Sequence, residues 1–126
     1  MSMRTPLKSA RNLGSAKEGA DHFWKQRVTG VANVFLGLFL VWLIASLIGA
    51  DHATVKAKLA NPLIALSLLA LVVSGTIHMR LGMQTIIEDY VQGEFGKVVA
   101  LMLNTFFAAA IALASIFAVL KISFGA

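Results

Sequence analysis

The sequence predicts an all-α membrane protein with three transmembrane helices, and three observations lead to this prediction. Hydrophobic residues make up 58% of the 126 residues and charged residues only 13%, against roughly 25% charged in ordinary globular proteins. The apolar residues are collected in three long uncharged runs. Lipid offers no hydrogen bonds to a backbone, so a run that crosses a bilayer satisfies its own backbone groups as a helix.

Each run is long enough, or nearly long enough, to span a membrane by itself. Residues 28–50 and residues 98–120 each contain 23 residues without a charge, which rise about 35 Å as a helix and cross a hydrocarbon core of about 30 Å. The second run, residues 59–77, contains Asn61-Pro62 near its start. This dipeptide is a good helix start, with asparagine as the cap and proline at the first helical position.

The residues that flank these runs predict how the chain is divided into an arm and a domain. Residues 1–20 are polar and predict an N-terminal arm, and residues 21–126 form one transmembrane anchor domain, with Asp21 as a candidate cap for the first helix. Its helices are predicted at about residues 22–50, 61–80 or longer, and 97–121, with a short connection at 51–58. The polar lead and the length of the first run do not fit a signal peptide, so we expect the N-terminus to be retained.

The basic residues predict the orientation. Six of the eleven precede residue 28, and Arg80 and Lys97 raise the number on that side to eight, whereas Lys56, Lys58 and Lys121 give three on the other. The positive-inside rule then places the N-terminus in the cytoplasm and the C-terminus outside. Nucleic-acid binding is not expected, because the basic residues are spread out and form no basic face.

Candidate chemistry is concentrated between Ser74 and Val91. The chain has no cysteine, so a cofactor must be held by histidine, tyrosine, carboxylate or backbone groups. In a continuous helix, His78 shares one face with Ser74, Gly75 and Gly82, which makes a flat surface that suits a porphyrin. The same pattern also fits a boundary histidine whose small neighbours pack another helix. From the residues alone both readings stay open.

Three further residues carry similar alternatives. Tyr90 fits an aromatic-belt anchor and equally a hydrogen-bond donor to a quinone carbonyl, with Asp89 beside it to orient the phenol or relay a proton. Arg27 fits a positive-inside charge and also a partner for a haem propionate or a carboxylate. His22 and His52 are isolated in the sequence, and both are expected to be solvated at the interface.

The pattern His78-x3-Gly82-Met83-x5-Asp89-Tyr90 resembles the signature of the hydrophobic membrane anchor, or D-type, subunit of bacterial succinate dehydrogenase. The segment GADHFWKQRVTGVAN, which ends at Asn33, is similar to the N-terminal approach of that family. The resemblance covers roughly residues 13–121. Two departures are Asp21-His22, whose order does not align clearly, and Gln92, where a basic residue is common.

The resemblance implies half of a haem-binding anchor bundle in the bacterial inner membrane, with a periplasmic C-terminus. His78 would be an axial ligand of a b-type haem iron, Arg27 would lie near the haem propionates, and Tyr90 and Asp89 would bind ubiquinone. The implied partners are membrane lipid, a second (C-type) cytochrome b anchor, an iron–sulfur subunit and a flavoprotein. FAD and the iron–sulfur clusters would belong to those partners, so this chain alone would not be catalytic.

Two alternatives remain at this level. One is the anchor of a fumarate reductase, since the direction of the reaction depends on the potential of the quinone. The other is a three-helix accessory protein without redox function, in which His78 and Tyr90 are merely interface residues.

Overall fold

The computed structural model describes residues 17–125, with side chains from residue 19 onward. Four helices follow one another in this range: α1 (Lys17–Ser46), α2 (His52–Leu59), α3 (Pro62–Tyr90) and α4 (Glu94–Ser123). The described residues form no strand. Helices α1, α3 and α4 are long and apolar enough to cross a membrane. The predicted all-α class with three transmembrane helices is therefore confirmed, and most of the predicted arm lies outside the described residues.

Helix α1 begins and ends earlier than its sequence pattern predicts. It already includes Lys17, so Asp21 lies inside the helix, where its carboxylate pairs with Lys25 at 2.7 Å. The prediction that Asp21 caps the helix is wrong, because the preceding residues continue the helical hydrogen bonding. At the other end, the Ser46 hydroxyl donates to the Leu43 carbonyl at 2.7 Å. The chain then turns through Gly49, whose φ of 78° is a left-handed conformation that favours glycine.

The predicted connection at residues 51–58 contains the short helix α2. Asp51 caps it by accepting a hydrogen bond from the Thr54 N–H at 2.9 Å, and the hydrogen bonds to Thr54 lower the pKa of Asp51. The Lys58 ammonium donates to the Ser46 hydroxyl at 2.8 Å and lies 5.0 Å from the centre of the Trp42 ring. The Lys58 side chain therefore ties α2 to the end of α1, while α2 itself packs against the two helices that follow it.

Helix α3 is the central element. It begins as predicted, with the Asn61 side chain accepting from the Leu63 N–H at 2.9 Å and Pro62 at the start. It runs on to Tyr90 without a break, so His78 lies near its middle. Within the described range, α1 and α4 each pack on α3 and make no contact with each other. The three long helices therefore form an open layer rather than a closed bundle.

Polar groups join α3 to α4. The buried Asn104 amide donates to the Arg80 carbonyl at 3.0 Å, and the Arg80 guanidinium donates to the Thr105 hydroxyl at 3.2 Å. Only five hydrophobic side chains are buried among those described, namely Leu43, Ala65, Leu81, Ile87 and Ala108. Most apolar side chains therefore point outward, where lipid or another membrane subunit can cover them.

Candidate functional site

A polar stripe on α1 faces α3. It consists of His22, Gln26, Thr29 and Asn33, spaced by four, three and four residues, so the four side chains lie on one face of the helix. The Ser74 hydroxyl of α3 lies 2.8 Å from the Asn33 side-chain oxygen and 3.2 Å from the Thr29 carbonyl. These contacts hold the two helices together at the level of Thr29.

His78 lies in this interface, one turn beyond Ser74 on α3. Its Nδ1 is 3.1 Å from the Thr29 hydroxyl oxygen. That hydroxyl also lies 2.6 Å from the Lys25 carbonyl, and Thr29 is only 9% exposed. The other ring nitrogen, Nε2, has no hydrogen-bond partner among the described residues and is not one of their buried unpartnered atoms. His78 is thus anchored through one nitrogen and keeps the other available.

The glycines around His78 have different surroundings. A Cβ added to Gly30 of α1 would lie 3.4 Å from His78 Cε1, and one added to Gly82 would lie 3.5 Å from the Gln26 amide nitrogen. A Cβ added to Gly75 would meet nothing within 4 Å. Ser74 and Gly82 therefore serve helix packing, which is one of the two roles that the sequence allowed. Gly75 leaves open space one turn from His78.

A cavity of about 490 Å³ lies beside the start of α1. It is lined by seven residues of α1 and α3: Gly19, His22, Phe23, Gln26, Arg27, Gly82 and Thr85. The Arg27 guanidinium stands 4.5 Å above the centre of the Phe23 ring, at the edge of this space. Arg27 therefore contributes a positive charge to the lining of this cavity.

Two residues that line this cavity, His22 and Gln26, were not predicted as site residues from the sequence. His22 Nε2 and the Gln26 side-chain oxygen are buried without a hydrogen-bond partner among the described residues. The prediction that His22 is solvated is wrong for this nitrogen, which is buried beside a cavity that residues of α3 also line. The spacing of these two residues by four, which Thr29 and Asn33 continue along the same face, was the available signal. His52, in contrast, is exposed at the start of α2.

Asp89 and Tyr90 lie at the end of α3. Both are exposed, Tyr90 to 78%, and neither side chain makes a hydrogen bond within the described part of the chain. Their neighbour Glu88 accepts a hydrogen bond from the Gln84 amide at 2.9 Å and lines a second cavity of about 320 Å³ that His22 also borders. The structure thus places the end of α3 beside the start of α1, and it does not bring Tyr90 into contact with His78.

The described residues contain no group of three or more His, Cys, Asp or Glu side chains that could hold a metal ion. A single histidine with one available nitrogen is instead suited to complete the coordination of an iron whose other ligands come from a porphyrin and a second protein chain. The open nitrogen of His78 and the open space at Gly75 fit a flat macrocycle at this position.

Comparison with known proteins identifies the family. The family model described as the succinate dehydrogenase/fumarate reductase transmembrane subunit matches residues 1–120. The chain belongs to this family. It is 33% identical over 122 residues to the succinate dehydrogenase hydrophobic membrane anchor subunit of Paracoccus denitrificans, a match that covers 97% of this chain and 94% of the relative.

Two more relatives of the chain are also membrane anchor subunits of succinate dehydrogenase. The succinate dehydrogenase hydrophobic membrane anchor subunit of Rickettsia bellii is 34% identical over 88 residues, which is 70% of each chain. The succinate dehydrogenase membrane anchor subunit of Reclinomonas americana is 30% identical over 90 residues, covering 69% of this chain and 75% of the relative. No solved structure matches. The resemblance to the anchor subunits is therefore confirmed, and the chain is a multi-pass membrane protein.

Proposed function

We propose that this transmembrane subunit anchors succinate dehydrogenase in the bacterial inner membrane by docking the iron–sulfur subunit and the flavoprotein. Flavin chemistry and succinate binding would belong to those partners, and this chain would have no activity alone. The near full-length match to a membrane anchor subunit supports the role. The open layer of helices leaves faces of α1 and α4 for a C-type anchor, a cytochrome b.

We also propose that His78 is an axial ligand of a b-type haem shared with the second anchor. The observation that carries this proposal is the arrangement of the imidazole, whose Nδ1 is held by Thr29 at 3.1 Å while Nε2 stays available. Histidine ligands in metal sites ordinarily use one nitrogen for the metal and the other for a supporting hydrogen bond. Haem bound there would supply a one-electron redox group inside the membrane.

Arg27 would contribute a charge toward the haem propionates. The guanidinium lines the large cavity on the α1 side of Gly82, one turn of α3 beyond His78. Bidentate pairing with carboxylates is the interaction that a guanidinium makes best.

Ubiquinone would bind at the end of α3, with the Tyr90 hydroxyl donating to a quinone carbonyl and Asp89 orienting the phenol or relaying a proton. A phenol suits this task because its hydroxyl has a proton to donate to a carbonyl and an oxygen that can accept a hydrogen bond in return. The antiparallel packing puts Tyr90 at the same end of the layer as Arg27, which is the cytoplasmic end if the basic residues set the orientation. The iron–sulfur subunit would have to dock at that end.

The haem assignment is tested on the purified, assembled complex. Replacement of His78 by leucine removes an iron ligand and should abolish or visibly perturb the low-spin b-type reduced-minus-oxidised spectrum. His52→Leu is the matched control, since His52 lies in α2 at the opposite end of the layer from Arg27 and should leave the spectrum unchanged. A His78→Leu complex with an intact spectrum would exclude His78 as the ligand.

A further inference from the structure

We propose that Thr29 is the positioning residue that fixes the tautomer and the ring orientation of His78. In this arrangement the threonine hydroxyl oxygen accepts the proton on His78 Nδ1, so that Nε2 carries an unprotonated lone pair. The proposed function of His78 explains only why this tautomer matters, and the inference rests on it to that extent. Every contact that defines the tautomer lies within this chain.

The direction of the hydrogen bond follows from counting protons. The Thr29 hydroxyl has one proton, and the carbonyl oxygen of Lys25 lies only 2.6 Å from its oxygen. A carbonyl can only accept, so the hydroxyl proton belongs to this short contact. A second carbonyl, that of Gln26, lies at 3.3 Å and competes for the same proton. The hydroxyl therefore has no proton left to give to His78.

The imidazole must then donate across the 3.1 Å contact with Thr29. A neutral imidazole has one N–H, and placing it on Nδ1 leaves Nε2 as an acceptor or a metal ligand. In the opposite tautomer a lone pair of Nδ1 would face a lone pair of the Thr29 hydroxyl oxygen, unless Thr29 gave up its shorter hydrogen bond to the Lys25 carbonyl. Since Thr29 is nearly buried, water is poorly placed to relieve that conflict.

Thr29 lies where α3 is held against α1. The Ser74 hydroxyl of α3 donates to the Asn33 side chain at 2.8 Å and lies 3.2 Å from the Thr29 carbonyl, and Gly30 lets the imidazole approach the backbone next to Thr29. The hydroxyl acceptor is therefore presented to the ring at a defined place rather than by a mobile side chain. The neutral, Nδ1-protonated form is the one that an iron ligand through Nε2 requires.

The tautomer can be read directly, without haem. The full chain, labelled with nitrogen-15 at histidine and reconstituted in lipid, should show the proton of His78 on Nδ1, with the His78 signals assigned by their loss in His78→Gln. Thr29→Val keeps the branched shape but deletes the hydroxyl, and it should move the proton to Nε2 or give a mixture. Thr29→Ser keeps the hydroxyl and should give the same nitrogen-15 pattern as the wild-type chain.

The assembled complex gives a second reading. Loss of a supporting hydrogen bond to a ligating histidine typically costs about 10- to 100-fold in metal affinity, so Thr29→Val should lose haem at concentrations where Thr29→Ser retains it. The midpoint potential of the haem should also move in the valine variant and not in the serine variant.

Two results would overturn the role of Thr29. One is a wild-type His78 that carries its proton on Nε2, which needs no variant and does not depend on whether Thr29→Val folds. The other is a Thr29→Val chain that keeps the wild-type nitrogen-15 pattern. Failure of the haem assignment looks different, because the His78→Leu complex would then keep its spectrum while the tautomer result stood.

Discussion

Gly30 of α1 lies against the imidazole of His78, so closely that a Cβ atom at position 30 would be 3.4 Å from Cε1 and 3.9 Å from Nδ1 of the ring. The neighbouring residue, Thr29, contacts the same ring through its hydroxyl. Consecutive residues of α1 therefore provide a hydrogen-bond acceptor and a space for one histidine. A methyl group just fits at position 30, and a bulky side chain such as leucine would crowd the imidazole.

The first prediction follows from this contact. Gly30→Leu should displace the His78 ring and destabilise the α1–α3 packing by about 1–3 kcal/mol, the usual cost of overpacking. We expect the b-type spectrum of the purified complex to be lost or perturbed, while Gly30→Ala leaves it nearly unchanged. Gly37→Leu is the matched control on the same helix, because a Cβ at Gly37 meets nothing within 4 Å. An intact spectrum in Gly30→Leu would show that the ring is not confined there.

The second prediction concerns the junction of α3 and α4. Asn104→Ala deletes the hydrogen bond to the Arg80 carbonyl and should lower the free energy of unfolding by about 1 kcal/mol, since hydrogen bonds between membrane helices contribute on the order of 0.6 kcal/mol and a small void adds to this. Unfolding of the full chain in mixed detergent micelles measures the change. Met102→Ala, at a half-exposed site on the same helix, should have a smaller effect. Equal effects would argue against a special role for the Asn104 amide.

The third prediction tests the quinone proposal. Tyr90→Phe keeps the ring and removes the hydroxyl, so succinate-to-quinone turnover of the complex should fall. A neutral hydrogen bond contributes about 0.5–1.5 kcal/mol, which corresponds to a loss of roughly 2- to 13-fold, and more if the phenol also carries a proton.

Two activities separate the outcomes for Tyr90. Succinate oxidation by an artificial acceptor that bypasses the quinone site should survive in Tyr90→Phe. If both activities fall together, Tyr90 is needed for assembly. If neither falls, the tyrosine is an aromatic-belt anchor, and the quinone site lies on the partner chains.

The fourth prediction concerns orientation. Eight basic residues on one side of the membrane and three on the other should place the C-terminus in the periplasm. A C-terminal reporter that is active only in the cytoplasm should therefore stay silent in cells, and the same reporter fused to the N-terminus should be active. An active C-terminal fusion would show that the orientation is reversed.

Most of the architecture was predictable because it depends on local properties of the chain. The three long helices follow from uncharged runs and from the need to satisfy the backbone in lipid, and the start of α3 follows from Asn61-Pro62. Helix ends were predicted less well. The prediction that Asp21 caps α1 was wrong, and α2 was not predicted. Both depend on whether a short polar segment is helical, and the hydropathy of the sequence does not determine this.

The sequence by itself determined the three apolar helices, their antiparallel order and a short set of residues able to carry chemistry, His78 among them. Only the tertiary structure decided what His78 touches. Thr29 is 49 positions away in the chain, and no local pattern tells which of the polar residues of α1 meets the imidazole. The structure likewise shows one buried side-chain atom without a described partner in each of His22 and Gln26. Hydrogen bonds between helices depend on their relative rotation and height, which are properties of the packed pair and not of either segment.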